Sequence, residues 1–217
     1  MTNSSPPPPK GLRWHLREAT QDLHAEADRL AGRFALDARD GYAAFLRAHA
    51  LAIPGLEAAC AAALGAEWPD WPARARTGAL KADLATLGHP APAPLPPPAL
   101  GREAALGAAY VLEGSRLGGA LMLRQVQAAA DPVLHRATAY LAHRPQGDTW
   151  PGFVTRLERA LPGPEGWAAA AEGARHAFAH MLAALRLPPA PNPETHPETH
   201  PETHPAGAPP RAAAAHV

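Results

Sequence analysis

The chain has 217 residues, of which 47% are hydrophobic, and its twenty lysine and arginine residues balance twenty aspartate and glutamate residues. This length suits one sizeable domain, and the charge balance argues against nucleic acid or an anionic membrane as a partner. A single cysteine, Cys60, excludes an internal disulfide and a cysteine-only metal cage, which favours a reducing, cytoplasmic setting. No stretch approaches about eighteen uninterrupted apolar residues and the first ten residues contain no apolar signal core, so neither a membrane span nor export is expected.

Both ends of the chain are predicted to be disordered. Residues 1–9 contain four consecutive prolines, and residues 188–217 contain three Pro-Glu-Thr-His repeats. Neither segment has the apolar side chains that a core requires. The repeats place His196, His200 and His204 at even spacing, but proline at every fourth position prevents the helix that would align them for a metal ion. The sequence therefore predicts one domain, over residues 10–187.

Apolar spacing predicts helices throughout this domain and no strands. Leu12, Leu16 and Leu23 belong to an apolar stripe at spacings of three and four, which is typical of an amphipathic helix. A second helix is predicted from Tyr42 to about Ala63, interrupted or kinked at Pro54. The remaining predicted helices cover 73–87, 99–130, 132–143, 151–160 and 164–187, and the proline-rich stretch 89–98 is predicted to be an extended surface connector. The fold class is therefore all-α.

Three polar residues share one face of the first predicted helix. Arg17, Thr20 and His24 lie at positions i, i+3 and i+7, so Arg17 and His24 are about 10 Å apart along one side. An imidazole here is a candidate axial ligand to iron, and the guanidinium is placed to bind a carboxylate on the same cofactor. The alternative is that His24 is an ordinary surface or core histidine and Arg17 a solvated charge.

A second unusual feature is the group of three glycines, Gly114, Gly118 and Gly119, inside a strong helical pattern. Each glycine costs about 1 kcal/mol relative to alanine, so something must compensate. Without β-carbons the helix backbone can approach a flat ligand closely and bend at that point. Close packing against another helix would explain the glycines equally well.

These two segments together, 17–24 and 110–119, resemble the haem oxygenases, particularly the bacterial ones. The resemblance implies an all-α bundle in which haem lies between the first (proximal) helix and a kinked, glycine-rich (distal) helix. It implies that His24 is the axial iron ligand and that Arg17 and Tyr110 meet propionates. The other expected site residues are Thr20 and Phe178 for cofactor binding and Gly114, Ser115, Gly118 and Gly119 on the distal, catalytic side.

Ser115 is a departure from many members of that family, which carry an aspartate just after the first distal glycine. A subset of bacterial members has the same Glu-Gly-Ser form. Because a serine hydroxyl is a weaker anchor for ordered water than a carboxylate, the path that delivers protons would depend more on water. For the second propionate, Arg156 and Arg159 are the candidate partners by position.

The resemblance implies that haem b is both cofactor and substrate. Dioxygen and external electrons would open the ring to biliverdin, carbon monoxide and ferrous iron. Since the chain has no nucleotide fingerprint, flavin motif or iron–sulfur cysteine set, the electrons must come from a separate ferredoxin or flavin reductase. A bacteriophytochrome is a candidate recipient of the biliverdin, and the protein is expected to be a monomer.

Three other classes of protein compete with this interpretation. A haem-binding carrier or sensor of the same fold would bind haem without degrading it. A di-iron carboxylate bundle requires glutamates followed three residues later by histidine, and no core glutamate of this chain fits. The thiamine-degrading enzymes, which have a related fold, use a cysteine nucleophile, whereas Cys60 lies in an apolar run typical of a buried, inert thiol.

Overall fold

The computed structural model describes residues 11–145 and 149–187, and within these ranges it contains nine α-helices and no strand. The all-α prediction is therefore confirmed for the described chain. The predicted tails, 1–9 and 188–217, with His196, His200 and His204, lie outside the described residues. The helices are α1 (Leu12–Ala31), α2 (Arg39–Leu64), α3 (Trp71–Arg74), α4 (Thr77–Thr86), α5 (Arg102–Ala128), α6 (Pro132–Arg136), α7 (Ala139–Ala142), α8 (Trp150–Ala160) and α9 (Trp167–Arg186).

Helices α5 and α9 pack backbone to backbone, and α1 also packs against α9. Two glycines permit this close approach. A β-carbon added at Gly107 would overlap the carbonyl group of Ala170, and one added at Gly173 would overlap that of Ala104. Because neither carbonyl can move without shifting a whole helix, glycine is required at both positions.

Helix α2 runs through the centre of the fold and contacts α4, α5 and α9. It continues through Pro54, so the predicted interruption at this residue does not occur. The connector 89–98 is extended, as predicted, and the Leu95 amide donates a hydrogen bond to the Leu51 carbonyl at 2.8 Å. Residues Arg39–Glu67 are long and apolar enough to cross a membrane, but 56% of the relevant window is buried in the fold, as in the core helix of a globular protein.

The predicted helix 73–87 is divided into α3 and α4 by a carboxylate from elsewhere in the chain. Glu57 on α2 accepts hydrogen bonds from the backbone amides of Arg76 (2.7 Å) and Thr77 (3.1 Å), and from the Thr77 hydroxyl (2.7 Å). These amides begin α4 and have no partner within the helix. Glu57 therefore caps α4 and ends the continuous helix that the apolar pattern predicted.

The predicted helix 132–143 is divided in the same way, into α6 and α7. Asp83 on α4 accepts hydrogen bonds from the amides of Ala139 (2.9 Å) and Tyr140 (2.8 Å), at the start of α7. The Tyr42 hydroxyl donates to the Ala137 carbonyl at 2.7 Å, on the other side of the break. The backbone groups released between the two short helices are thus satisfied by tertiary contacts.

The two kinds of helix glycine make a testable prediction about stability. Gly107→Ala should lower the free energy of unfolding by about 2 kcal/mol or more, since its β-carbon has no room against α9. Gly78→Ala on α4 is the matched control: a β-carbon there meets no described atom within 4 Å. The control should gain about 0.5 kcal/mol from helix propensity. Urea unfolding of both variants decides, and equal stabilities would contradict the packing described here.

Candidate functional site

A cavity of about 550 Å³ lies between α1 and α5. Its volume is within the usual range for cofactor sites, about 300–1,000 Å³. Helix α9 contributes Phe178, Met181 and Leu185 to its wall, and α2 contributes Phe45 and His49. The remaining lining comes from Arg76 just before α4, from the segment around α7 and from Trp150 at the start of α8.

One wall of the cavity is the polar face of α1, and it carries Arg13, Arg17, Thr20 and His24. The His24 side chain is 64% exposed, and its Nδ1 lies 3.3 Å from Oδ2 of Asp28, one turn further along α1. The His24 ring meets the ring of Phe178 edge-on, with centroids 5.9 Å apart. The Asp28 contact leaves Nε2 as the nitrogen available to a ligand.

The opposite wall is the glycine-rich part of α5. A β-carbon added to Gly118 would meet no described atom within 4 Å. One added to Gly114 would make an ordinary contact with Trp150 at 3.5 Å, and one added to Gly119 would contact Leu141 at 3.8 Å. These three glycines are therefore not needed for helix packing, unlike Gly107. They leave a flat backbone surface facing the cavity, which favours the flat-ligand explanation of the glycine group.

At the Ser115 end of this wall the serine is bonded to a buried arginine that the sequence analysis missed. Arg76, which is only 4% exposed, donates from Nη2 to Oγ of Ser115 at 2.8 Å and to the Leu112 carbonyl at 3.1 Å. The Ser115 hydroxyl itself donates to the Leu112 carbonyl at 2.7 Å. The Arg76 guanidinium lies over the Tyr140 ring, 4.9 Å from its centroid, and its Nε has no hydrogen-bond partner among the described residues.

A cluster of buried charges supports this wall from behind, and two of its members, Arg116 and His143, also reach the cavity lining. Glu113 on α5 accepts from Nη1 of Arg74 at 3.1 Å and from Nη2 of Arg116 at 2.9 Å, and all three side chains are buried. Nη1 of Arg116 also lies 3.0 Å from Nδ1 of His143. Burial, together with the charges of Arg116 and Arg76, lowers the pKa of His143 below its ordinary value. His143 is therefore neutral near pH 7 and accepts from Arg116.

The cavity brings together every site residue named in the sequence analysis except the two arginine candidates for the second propionate. Arg156 instead pairs with Oδ1 of Asp70 at 2.8 Å and lies over the Trp68 ring, 3.9 Å from its centroid. Neither Arg156 nor Arg159 lines the cavity, so that prediction is wrong: α8 turns the Arg156 side chain toward the α3 side of the fold. Lining residues that the sequence analysis did not assign to the site include Arg13, His49, Arg76, Tyr140, Arg144 and Trp150.

Cys60 does not take part in this site. Its side chain is fully buried, and its Sγ lies 3.6 Å from the Ala105 carbonyl. Burial, with a smaller effect of the Glu57 charge, raises the pKa of the thiol to about 12. A thiol with this pKa is not a nucleophile near pH 7, which removes the cysteine-dependent alternative.

Comparisons with known proteins point in one direction. The chain is 32% identical over 148 residues to a haem oxygenase of Xanthomonas campestris pv. campestris, a match that covers 65% of this chain and 87% of the relative. It is 36% identical over 148 residues to the haem oxygenase PigA of Pseudomonas aeruginosa, covering 64% and 73%. A solved haem oxygenase of Neisseria meningitidis, bound to NO and CO, superposes with a TM-score of 0.63 at 25% identity, covering 82% and 92%. No family model matches the chain.

The charge cluster behind the cavity makes a prediction that is independent of any ligand. Glu113→Gln should lower the free energy of unfolding by about 3 kcal/mol, because it removes the carboxylate that pairs with the buried Arg116 guanidinium and one of the two carboxylates that pair with Arg74. Glu172→Gln on α9 removes a carboxylate from an exposed pair and should change stability by less than about 0.5 kcal/mol. Denaturant unfolding compares the two variants, and a loss of less than about 1 kcal/mol for Glu113→Gln would mean that the cluster is not a support.

Proposed function

The chain belongs to the haem oxygenase family and acts as an oxidoreductase that degrades haem, and we propose that haem binds in the cavity between α1 and α5, with His24 as the axial ligand to its iron. When bound, haem b supplies the iron that activates dioxygen and the ring that is opened to biliverdin, carbon monoxide and ferrous iron. The residues of this chain bind and orient it, exclude water and move protons.

The observation that carries this proposal is the contrast between two sets of glycines on one helix. Gly107 is required by the α5–α9 contact, whereas a β-carbon at Gly118 would meet no described atom. Glycine at Gly118 costs helix stability without any return from protein packing. A planar ligand lying on the α5 backbone explains this cost, and the opposite wall presents an imidazole to such a ligand.

The surroundings of His24 fit an iron ligand. A histidine that binds metal through one ring nitrogen usually donates the proton on the other to an acceptor, which sets its orientation. In this chain Asp28 occupies that position, 3.3 Å from Nδ1. Phe178 packs edge-on against the imidazole and limits its rotation. Asp28 is thus a positioning residue, and Nε2 of His24 is the nitrogen directed to the iron.

The haem propionates would bind at the Arg13 end of the cavity. Arg13 and Arg17 project from α1 beside Trp14, with guanidinium carbons 5.4 and 5.5 Å from the centroid of its ring. Burial raises the pKa of the Tyr110 hydroxyl on the opposite wall, and the charges of Arg13 and Arg17 oppose this with a smaller lowering effect. Tyr110 therefore remains a hydrogen-bond donor at neutral pH, and two guanidinium groups with one phenol match two carboxylates.

Arg76 and Ser115 would form the reactive side of the cavity. Among the described residues no carboxylate pairs with the buried side chain of Arg76, and a buried guanidinium in this state favours negative charge nearby. Negative charge develops when dioxygen is reduced, so Arg76 is suited to stabilise it, and Ser115 to hold a donor water. Arg76 thereby supplies a hydrogen-bond partner for the Ser115 hydroxyl, which by itself is a weaker anchor for ordered water than a carboxylate.

The remaining parts of the proposal concern the protein as a whole. The residues that line the cavity lie between 13 and 185, which supports a functional unit over 10–187 with the two tails outside it. We propose that the protein acts in the cytoplasm as a monomer and receives electrons from a separate ferredoxin or flavin reductase. A bacteriophytochrome is the proposed recipient of its biliverdin.

Replacement of the proposed iron ligand tests the binding mode. His24→Ala should abolish the imidazole-ligated haem spectrum and reduce biliverdin formation to less than about a tenth of the original rate. Added imidazole should restore the spectrum. His176→Ala is the control, because His176 lies on α9 paired with Glu172 and does not line the cavity. An unchanged spectrum in His24→Ala would mean that another histidine binds the iron.

Filling the glycine surface tests where haem lies. Gly118→Leu should leave the apoprotein as stable as the original or more so by about 0.5 kcal/mol, because leucine is a better helix former and its β-carbon meets no described atom within 4 Å. Its side chain should nevertheless reduce haem affinity more than about tenfold by occupying the space of the ring, a loss of about 1.4 kcal/mol. Haem titration followed by visible absorption measures the affinity. The haem affinity of Gly118→Ala should lie between those of the original protein and of Gly118→Leu. Full affinity in Gly118→Leu would place the haem elsewhere.

A further inference from the structure

We propose that His49 and Tyr140 form a polar pair that holds a water molecule in the haem cavity beside Arg76, and that this water is part of the proton supply. Both residues line the cavity. The inference rests on the proposed function, because it assigns two further positioning residues to the same cavity. It concerns side chains that the sequence analysis did not assign to the site.

The rings of His49 and Tyr140 are neighbours in the cavity wall. His49 on α2 lies against Tyr140 on α7, with ring centroids 5.6 Å apart and the planes inclined by 56°. Phe45 packs on the other side of the imidazole, with a centroid distance of 4.0 Å. Arg76 lies over the Tyr140 ring at 4.9 Å and holds Ser115 at 2.8 Å. The pair is thus adjacent to the Arg76–Ser115 contact.

A backbone hydrogen bond sets the tautomer of His49. Its Nδ1 lies 2.9 Å from the Phe45 carbonyl oxygen, which can only accept, so Nδ1 carries the proton. Burial lowers the pKa of His49 to about 4, against a smaller opposing effect of that hydrogen bond, and the Arg76 charge lowers it further. The ring is therefore neutral near pH 7. Nε2 is then a lone-pair acceptor whose tautomer is set by the backbone of its own helix.

The Tyr140 hydroxyl is protonated at neutral pH. Burial raises its pKa above the ordinary value, so it keeps its proton and remains able to donate. Within residues 11–145 and 149–187, no group forms a hydrogen bond with this hydroxyl or with Nε2 of His49. The backbone amide of Tyr140 is bonded to Asp83, which fixes the ring at the cavity wall.

A bound water satisfies both groups at once. Water can donate to Nε2 of His49 and accept from the Tyr140 hydroxyl, so one molecule can pair with both groups. The second hydrogen of this water remains free to donate a hydrogen bond into the cavity. The pair therefore extends the polar line from Ser115 and Arg76, and it compensates for the absence of a carboxylate at position 115.

The first experiment uses the apoprotein, so it does not depend on haem. Nitrogen NMR of ¹⁵N-histidine-labelled protein, assigned with His49→Gln, should show His49 protonated on Nδ1 and bare on Nε2 at pH 7. A ring protonated on Nε2 would overturn the proposal, since no acceptor would face the cavity.

The second experiment compares His49→Phe, His49→Gln and Tyr140→Phe, with His176→Phe on α9 as the matched histidine control. All four should bind haem with affinity within about threefold of the original, equivalent to less than about 0.7 kcal/mol. His49→Phe and Tyr140→Phe should slow biliverdin formation by about tenfold and move the pH midpoint of the ferric haem spectrum. His49→Gln, whose amide oxygen can accept, should recover most of the rate and the midpoint.

The outcomes distinguish this inference from the function on which it rests. If His49→Phe and Tyr140→Phe bind haem and match the original protein in rate and spectral midpoint, the pair has no role and the proposed function stands. If His49→Gln behaves like His49→Phe, the effect is one of packing and the proposal is overturned. Failure of the original protein to bind haem would instead contradict the proposed function itself.

Discussion

The buried carboxylate of Glu113 is the interaction on which the arrangement of the cavity depends. It lies between Arg116 and Arg74, the last residue of α3, so it binds α5 to the end of α3 and to the short segment that leads into α4. Arg76 belongs to that segment and reaches Ser115 across the same boundary. Together with the hydrogen bonds from Arg76 to Ser115 and to the Leu112 carbonyl, this cluster holds the glycine surface of α5 at a defined distance from the Arg76 guanidinium. Buried ion pairs add little net stability relative to apolar side chains, but removal of one partner leaves a buried charge and is strongly destabilising.

Helix α5 combines two requirements that usually conflict. Near its start, Gly107 allows the backbone contact with α9 on which the bundle relies. Two to three turns later, the glycines around Gly118 leave an open surface, at a cost of about 1 kcal/mol each in helix propensity. The first half of the helix is thus stabilised by packing, and the second half gives up stability for a ligand surface. The charge cluster at Glu113 lies between the halves and anchors both.

The sequence predicted the long helices well because their apolar stripes are local. It failed at the breaks before α4 and α7, because those depend on carboxylates of Glu57 and Asp83, 19 to 57 residues away along the chain. The same limit applies to the site. His24 and the glycines could be identified from their own segments, whereas Arg76 joins Ser115 only through tertiary contacts across 39 residues. Arg156 was misassigned because its position along α8 gave no indication that Asp70 would pair with it.

The central claim is that one flat ligand lies between the imidazole of His24 and the backbone of α5 at Gly118. A crystal structure of the ferric haem complex tests this most directly. The account predicts haem in the cavity with Nε2 of His24 bound to iron, the ring against Gly118, and Arg13 and Arg17 at the propionates. Haem bound at another surface, or held through a different histidine, would contradict it.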